Sequence, residues 1–137
     1  MTEYVRYCGQ YGAEHDESFL PDAAFLPTAE FPAYLLLKQD EVVGAAGLMR
    51  TPPYRDKGKA RLTIFHAREA TAAAFTQLLT AILPHTRDLR SIYGFLPEER
   101  TESRRQWEAL GFIVERIAYV LVYHAQEVQP TETPPGY

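Results

Sequence analysis

The sequence predicts a mixed α/β domain: one mostly antiparallel sheet with helices on both faces. Three observations carry this. "AYLLLKQDEVVGAAGLM" reads as two strands around a polar turn, and "ARLTIF" returns as a third. Phe75, Leu78, Leu79, Ile82 and Leu83 recur at i, i+3, i+4, i+7 and i+8, the stripe of a helix that buries one side. The later order of strand, helix, strand implies a parallel crossover, whereas three strands joined by turns form an antiparallel meander.

Taken in order, residues 3–8 have mixed β character and are expected to form a first strand. Residues 11–32 are cut by Gly12, Pro21, Pro27 and Pro32, with Phe19, Leu20, Phe25 and Leu26 free to pack, so one or two short helices are expected there. A turn at residues 39–41 precedes a second strand over 42–49. "RTPPYRDKGKA" is a longer turn, because two prolines exclude a central strand and Asp56 to Gly58 supply turn chemistry. The helix through Phe75 and Leu83 stops at Pro84. "SIYGF" is a short strand, and a helix over roughly 101–110 sets Ser103, Trp107 and Leu110 on one face before Gly111 ends it. "FIVERIAYVLVYH" is a last strand or strand pair, rich in β-branched and aromatic residues. Its edge, carrying valines and tyrosines, is a candidate surface for a homodimer. Residues 1–128 form one domain; residues 129–137, with three prolines and a glycine, read as a flexible tail.

With 137 residues, 46% hydrophobic and 23% charged, the chain is long enough for a single core and too apolar for general disorder. The net charge of −4 and scattered basic residues argue against nucleic acid as a partner. No apolar run approaches the roughly 20 residues that cross a bilayer. A lone cysteine, Cys8, and a start without a signal pattern point to a cytoplasmic home. His15, His66, His85 and His124 lack metal-ligand spacing, and no C-x-x-C, G-x-S-x-G, P-loop or G-x-G-x-x-G is present, so no metal is expected.

One candidate remains for an anion site: "HAREATAAAFTQLL", where a strand gives way to a helix. The first free N–H groups of a helix point outward and its dipole favours negative charge, so the N–H groups of Thr71, Ala72, Ala73 and Ala74 are expected to face a phosphate. A tightly packed alanine-rich helix start is the competing reading.

Two motifs in this order resemble the GNAT acetyltransferase superfamily. "RTESRRQWEALGF" is similar to its N-x-x-A-x-x-x-Y-x-x-x-G-F segment, with Ser103 for the small residue, Trp107 for the tyrosine, and Gly111 and Phe112 retained. "EVVGAAGL" is similar to its g-x-V-G-x-x-x-L strand, and residues 3–8 would be its first strand. The family's Q/R-x-x-G-x-G/A segment falls on Glu69, Ala72 and Ala74, with Ala70 where another glycine is common; an alternative frame uses Arg68, Thr71 and Ala73. The resemblance implies N-acetyl transfer from acetyl-coenzyme A to a small amine or an amino terminus. Its coenzyme site would comprise Ile64, Phe65, His66, Arg68, Ala70, Thr71, Ala72, Ala73, Ala74, Ser103 and Trp107. Backbone near Ile64 and Phe65 would serve the oxyanion. Glu98, Glu99 and His66 are candidate bases. Trp107 cannot be the acid, because an indole does not give up its proton near neutral pH; water or Tyr93 would serve. Three departures from the pattern (alanines for glycines, Glu69 at the basic position, Trp107 for tyrosine) leave a second reading open, a non-catalytic binding or assembly module of the same fold.

Overall fold

The computed structural model describes residues 2–16, 20–114 and 120–123. The expected tail at 129–137, together with Phe19 and His124, lies outside the described residues. The order of elements is α1 (Glu3–Gln10), β1 (Ala33–Lys38), β2 (Glu41–Met49), α2 (Pro52–Arg55), β3 (Lys59–Ala67), α3 (Ala72–Ile82), β4 (Ser91–Phe95), α4 (Thr101–Ala109), β5 (Ile113–Val114) and β6 (Val120–Tyr123). Short 3₁₀ turns follow α1 (Gly12–Glu14) and α3 (Leu83–Thr86).

The sheet order is β1-β2-β3-β4-β6-β5, with β3 and β4 parallel and every other pair antiparallel. The expected meander is β1-β2-β3. Its first turn uses Gln39 and Asp40 at φ 52° and 67°, the left-handed pair that matches the strand twist of a tight hairpin. Each face carries its own core, because neighbouring strand residues point to opposite sides. Ala46, Leu48, Leu62 and Phe65 pack under α3 and α4, against Phe75, Leu78, Ile82 and Trp107. Ala45 and Ile64 pack under α1, against Tyr4, Tyr7 and Cys8. Leu62 and Phe65 share a face although three apart, since β3 bulges: Gly47 pairs with Ile64 but Leu48 pairs with Leu62, leaving Thr63 as the extra residue.

Three expectations are corrected. Residues 3–8 are helix, not strand. Thr2 caps α1 by accepting from the Val5 N–H at 3.2 Å, and Tyr4, Tyr7, Cys8 and Tyr11 then fall at i, i+3, i+4 and i+7. The cap and the stripe outweigh the β propensity of tyrosine, valine and cysteine. In residues 11–32 the described chain forms only the 3₁₀ turn Gly12–Glu14. The turn before β3 holds the short helix α2, with Pro52 in its first turn, where no N–H is needed. Among the described residues, β6 lies between β4 and β5, and β1 and β5 stand at the edges of the sheet. Gly111 ends α4 as expected, at φ 109°, with the Phe112 N–H returning to the Trp107 carbonyl. Among the described residues, no helix is long and apolar enough to cross a membrane.

Candidate functional site

The parallel pair at the centre of the sheet is incomplete. Only Lys59, Ala60 and Arg61 of β3 pair with Ser91, Ile92 and Tyr93 of β4, although both strands run on, β3 as far as Ala67. The ladder ends at Gly94. A methyl group there would stand 3.1 Å from both Leu62 Cβ and Trp107 Cη2, so glycine is what lets the indole approach the parting strands. Trp107 meets Phe65 edge-on at 5.2 Å and is 1% exposed. The crevice between β3 and β4 is therefore lined by an aromatic wall on its α4 side. The buried Trp107 Nε1–H has no hydrogen-bond partner among the described residues. Such an orphan donor costs about 1–3 kcal/mol unless an acceptor reaches it.

Beside the crevice lies the mouth of α3. β3 carries the chain to Ala67, and residues 68–70 make the bend. Thr71 caps the helix, its Oγ1 accepting from the Ala74 N–H at 3.2 Å, while its own N–H donates to the Glu69 carbonyl at 2.8 Å. Of the four N–H groups expected to face an anion, Thr71 and Ala74 are thus engaged within the chain. Those of Ala72 and Ala73 remain, at exposed positions. Arg68 does not reach the mouth: its guanidinium pairs with Glu41 at 3.2 Å across the surface. Glu69, Thr71, Ala73 and Leu36 line a cavity of about 370 Å³ on the β1 side of the helix.

The remaining sequence-predicted residues separate. Ala70 and Ala74 pack partly into the α3 side of the core. Ile64 and Phe65 are buried on opposite faces, and Ser103 is buried on α4. His66 does not open the helix. It sits within β3, buried beneath α1, with bonds at both ring nitrogens. Nε2 is 3.0 Å from Glu14 Oε1 and Nδ1 is 2.7 Å from the Tyr7 hydroxyl. A carboxylate only accepts, so Nε2 carries a hydrogen, while the Tyr7 hydroxyl beside Nδ1 also donates to the Val43 carbonyl at 3.3 Å. Tyr11 stacks on the imidazole at 4.9 Å. Glu14 also accepts from Arg100 Nη2 at 2.9 Å. Nearby, Arg61 pairs with Asp16 and lies 4.8 Å over the Phe95 ring. Burial pushes the Tyr93 phenol up to about 12, against its use as an acid or base near neutrality.

Burial, first of all, holds the His66 pKa below its ordinary value; Glu14 opposes this, while His15 and Arg100 add to it. The group is depressed in the folded state, so the stability it contributes is present above about pH 6.5, the ordinary histidine value, and is lost as pH falls through the folded value. Urea denaturation at pH 7 and pH 5 should show wild type losing more stability on acidification than His66→Gln. Equal losses would show that the Glu14, Arg100, His15, Tyr7 and Tyr11 surroundings do not disfavour the charged ring.

No family model and no curated protein matches the sequence. Solved structures do resemble it. Mutant forms of the spermidine/spermine N-acetyltransferase SpeG from Vibrio cholerae superpose with a TM-score of 0.51 at 18% identity, over 70% of this chain and 68% of theirs. A chimera of spermidine N-acetyltransferase SpeG from Vibrio cholerae and hSSAT gives 0.50 at 16% identity, over 88% of this chain and 74% of its own. The chain has the GNAT fold.

Within this GNAT fold, the sequence located α3 and the α4 tryptophan, but missed Thr71 as the cap of α3 and the polar group on the other side of the sheet. Tyr7 from α1 and Glu14 from the turn that follows it both bond His66, and Arg100 at the start of α4 bonds Glu14 in turn. The one available signal was the helical spacing of Tyr4, Tyr7 and Tyr11, which places two phenols on the face that covers β3.

Proposed function

We propose that the chain is an acetyl-coenzyme A-dependent N-acetyltransferase acting on a small amine or an amino terminus. The observation that carries this is the mouth of α3: two free, exposed N–H groups, Ala72 and Ala73, beside a parallel strand pair that has lost its ladder. Two free amides at the positive end of a helix suit a diphosphate. The orphan Trp107 Nε1–H suits an acceptor atom entering the crevice. On both counts the residues fit the coenzyme. When bound, it would supply an acetyl thioester. Ala72 and Ala73 would hold its diphosphate, the β3 backbone near Ile64 and Phe65 would form one wall, and Trp107 would donate a hydrogen bond without yielding a proton. The acetylated polyamine named for the SpeG structures supports an amine as acceptor class.

A second reading, a non-catalytic module of the same fold, is favoured by Trp107, whose buried indole occupies much of the α4 side of the crevice.

Thermal unfolding with acetyl-coenzyme A separates the two. A ligand at ~100 times its dissociation constant adds about 2.7 kcal/mol to the folded state. For a domain of this size that raises the melting temperature by several degrees. Ala72→Glu, which sets a carboxylate against the diphosphate, should abolish the rise while leaving the uncomplexed melting temperature within about a degree. No rise at millimolar coenzyme would remove the enzyme reading. A rise that survives in Ala72→Glu would show that the coenzyme binds away from the α3 mouth.

A further inference from the structure

A second cavity, of about 440 Å³, lies between α1 and the β1–β2 hairpin, on the side of β3 away from β4. One wall is α1, where Glu3, Arg6 and Gln10 fall at i, i+3 and i+7 and so share a face. The other is the hairpin turn, where the left-handed backbone of Asp40, at φ 67°, sets its carboxylate on the rim. Two further charges on the wall cancel: Arg68 pairs with Glu41 at 3.2 Å. The side chains of Glu3, Arg6 and Asp40 are exposed and have no hydrogen-bond or ion-pair partner among the described residues. The cavity therefore presents two free carboxylates and one free guanidinium to whatever enters it. Tyr11 and Val42, both half-buried, add apolar surface between them.

We infer that this cavity binds a free basic amino acid of the lysine type, with its carboxylate on Arg6 and its two ammonium groups on Glu3 and Asp40. The free charges of the cavity complement those of the ligand one for one. A guanidinium grips a carboxylate through parallel N–H donors, and an ammonium, which only donates, suits a carboxylate, which only accepts. The methylene stem lies over Tyr11 and Val42 while both charged ends stay wet. The simpler ligands fit less well. A plain diamine leaves Arg6 facing a like charge, and a plain anion leaves Glu3 and Asp40 facing one, which is the arrangement that binding sites use to reject a partner. The volume is in the range of small-molecule sites. Tyr11 also stacks on the His66 ring at 4.9 Å, so an occupant touches the residue that leans on the polar group of β3. No bond is made or broken, and the site stands apart from the acetyl-transfer reading of the crevice.

The experiment titrates the full chain, labelled with ¹⁵N, with L-lysine, with cadaverine (lysine without its carboxylate) and with ε-aminocaproate (lysine without its α-ammonium). Lysine should shift the backbone amide resonances of α1 and of the hairpin turn in a saturable way, and each truncated probe should bind about tenfold more weakly. Arg6→Gln, on an exposed helix face, should lower the affinity for lysine to that for cadaverine and leave cadaverine itself unweakened. Asp40→Asn keeps the turn, since asparagine also tolerates the left-handed backbone, and should weaken lysine and cadaverine alike by about tenfold. The inference is overturned by any of three results. One is the absence of a saturable shift up to about 10 mM lysine. Another is cadaverine binding wild type as tightly as lysine, which would make the cavity a diamine site. The third is an affinity for lysine within about twofold of wild type in Arg6→Gln or Asp40→Asn.

Discussion

Trp107→Ala should lower the unfolding free energy by about 3–5 kcal/mol, the range for removing a large aromatic side chain from a packed core. The indole is 1% exposed and touches Phe65 and Phe112, at centroid distances of 5.2 Å and 5.0 Å, besides closing on Gly94. Little around it can collapse into the space, since the facing strands have already parted. Trp107→Phe is the informative companion. It leaves a smaller cavity and also removes the orphan Nε1–H, so its cost should be less than half that of alanine. Urea denaturation followed by far-ultraviolet circular dichroism measures both, because the chain's single tryptophan is lost in each variant. A Trp107→Ala protein within about 1 kcal/mol of wild type would mean that the aromatic wall of the crevice is not part of the core.

Gly47→Ala should be the next most damaging change, and for the opposite reason. A methyl group at Gly47 would come within 2.7 Å of Thr63 Oγ1 and closer still to the Tyr4 hydroxyl. Tyr4 is buried and packed with Tyr7, Cys8, Ala45 and Ile64, so it has little room to swing. Overpacking of this kind costs typically 1–3 kcal/mol, and the upper half of that range is expected here because α1 must lift to relieve it. The partner is identifiable by a double-mutant cycle. With Tyr4→Phe in the background the clash loses its nearest atom, and the added cost of Gly47→Ala should fall by at least half. Full additivity of the two changes would show that α1 does not rest on Gly47 through Tyr4.

Much of the fold was legible because its signals are local. The β1–β2 hairpin announces itself by two apolar runs around Gln39 and Asp40, and α3 by five apolar residues in helical register. Gly111 marks the end of α4 because its left-handed backbone disfavours any residue with a side chain. α1 was misread since tyrosine, valine and cysteine are good strand residues, and a single threonine cap decided otherwise. The site divides the same way. Thr71, Ala72 and Ala73 lie together in the chain, and a strand-to-helix switch is visible in the sequence. Glu14 was invisible: its partners His66 and Arg100 are 52 and 86 positions away. Nor could the sequence tell that Thr71 would turn its hydroxyl to Ala74 and its own N–H to the Glu69 carbonyl, which together halve the set of amides at the helix mouth. That choice belongs to capping chemistry, which competes with any ligand for the same donors.

The broken ladder between β3 and β4 also has a bearing on how the chain reaches its native state. β1, β2 and β3 follow one another through short connections, so their pairings close small loops and form at low entropic expense. Bringing Ala60 beside Ile92 closes a loop that contains the whole of α3, a slower, non-local event. The crevice thus runs along the seam between an early-assembling half of the molecule and a late one. A molecule with that seam ajar should be the last species to disappear during refolding, and it would already possess the meander while lacking the finished cleft.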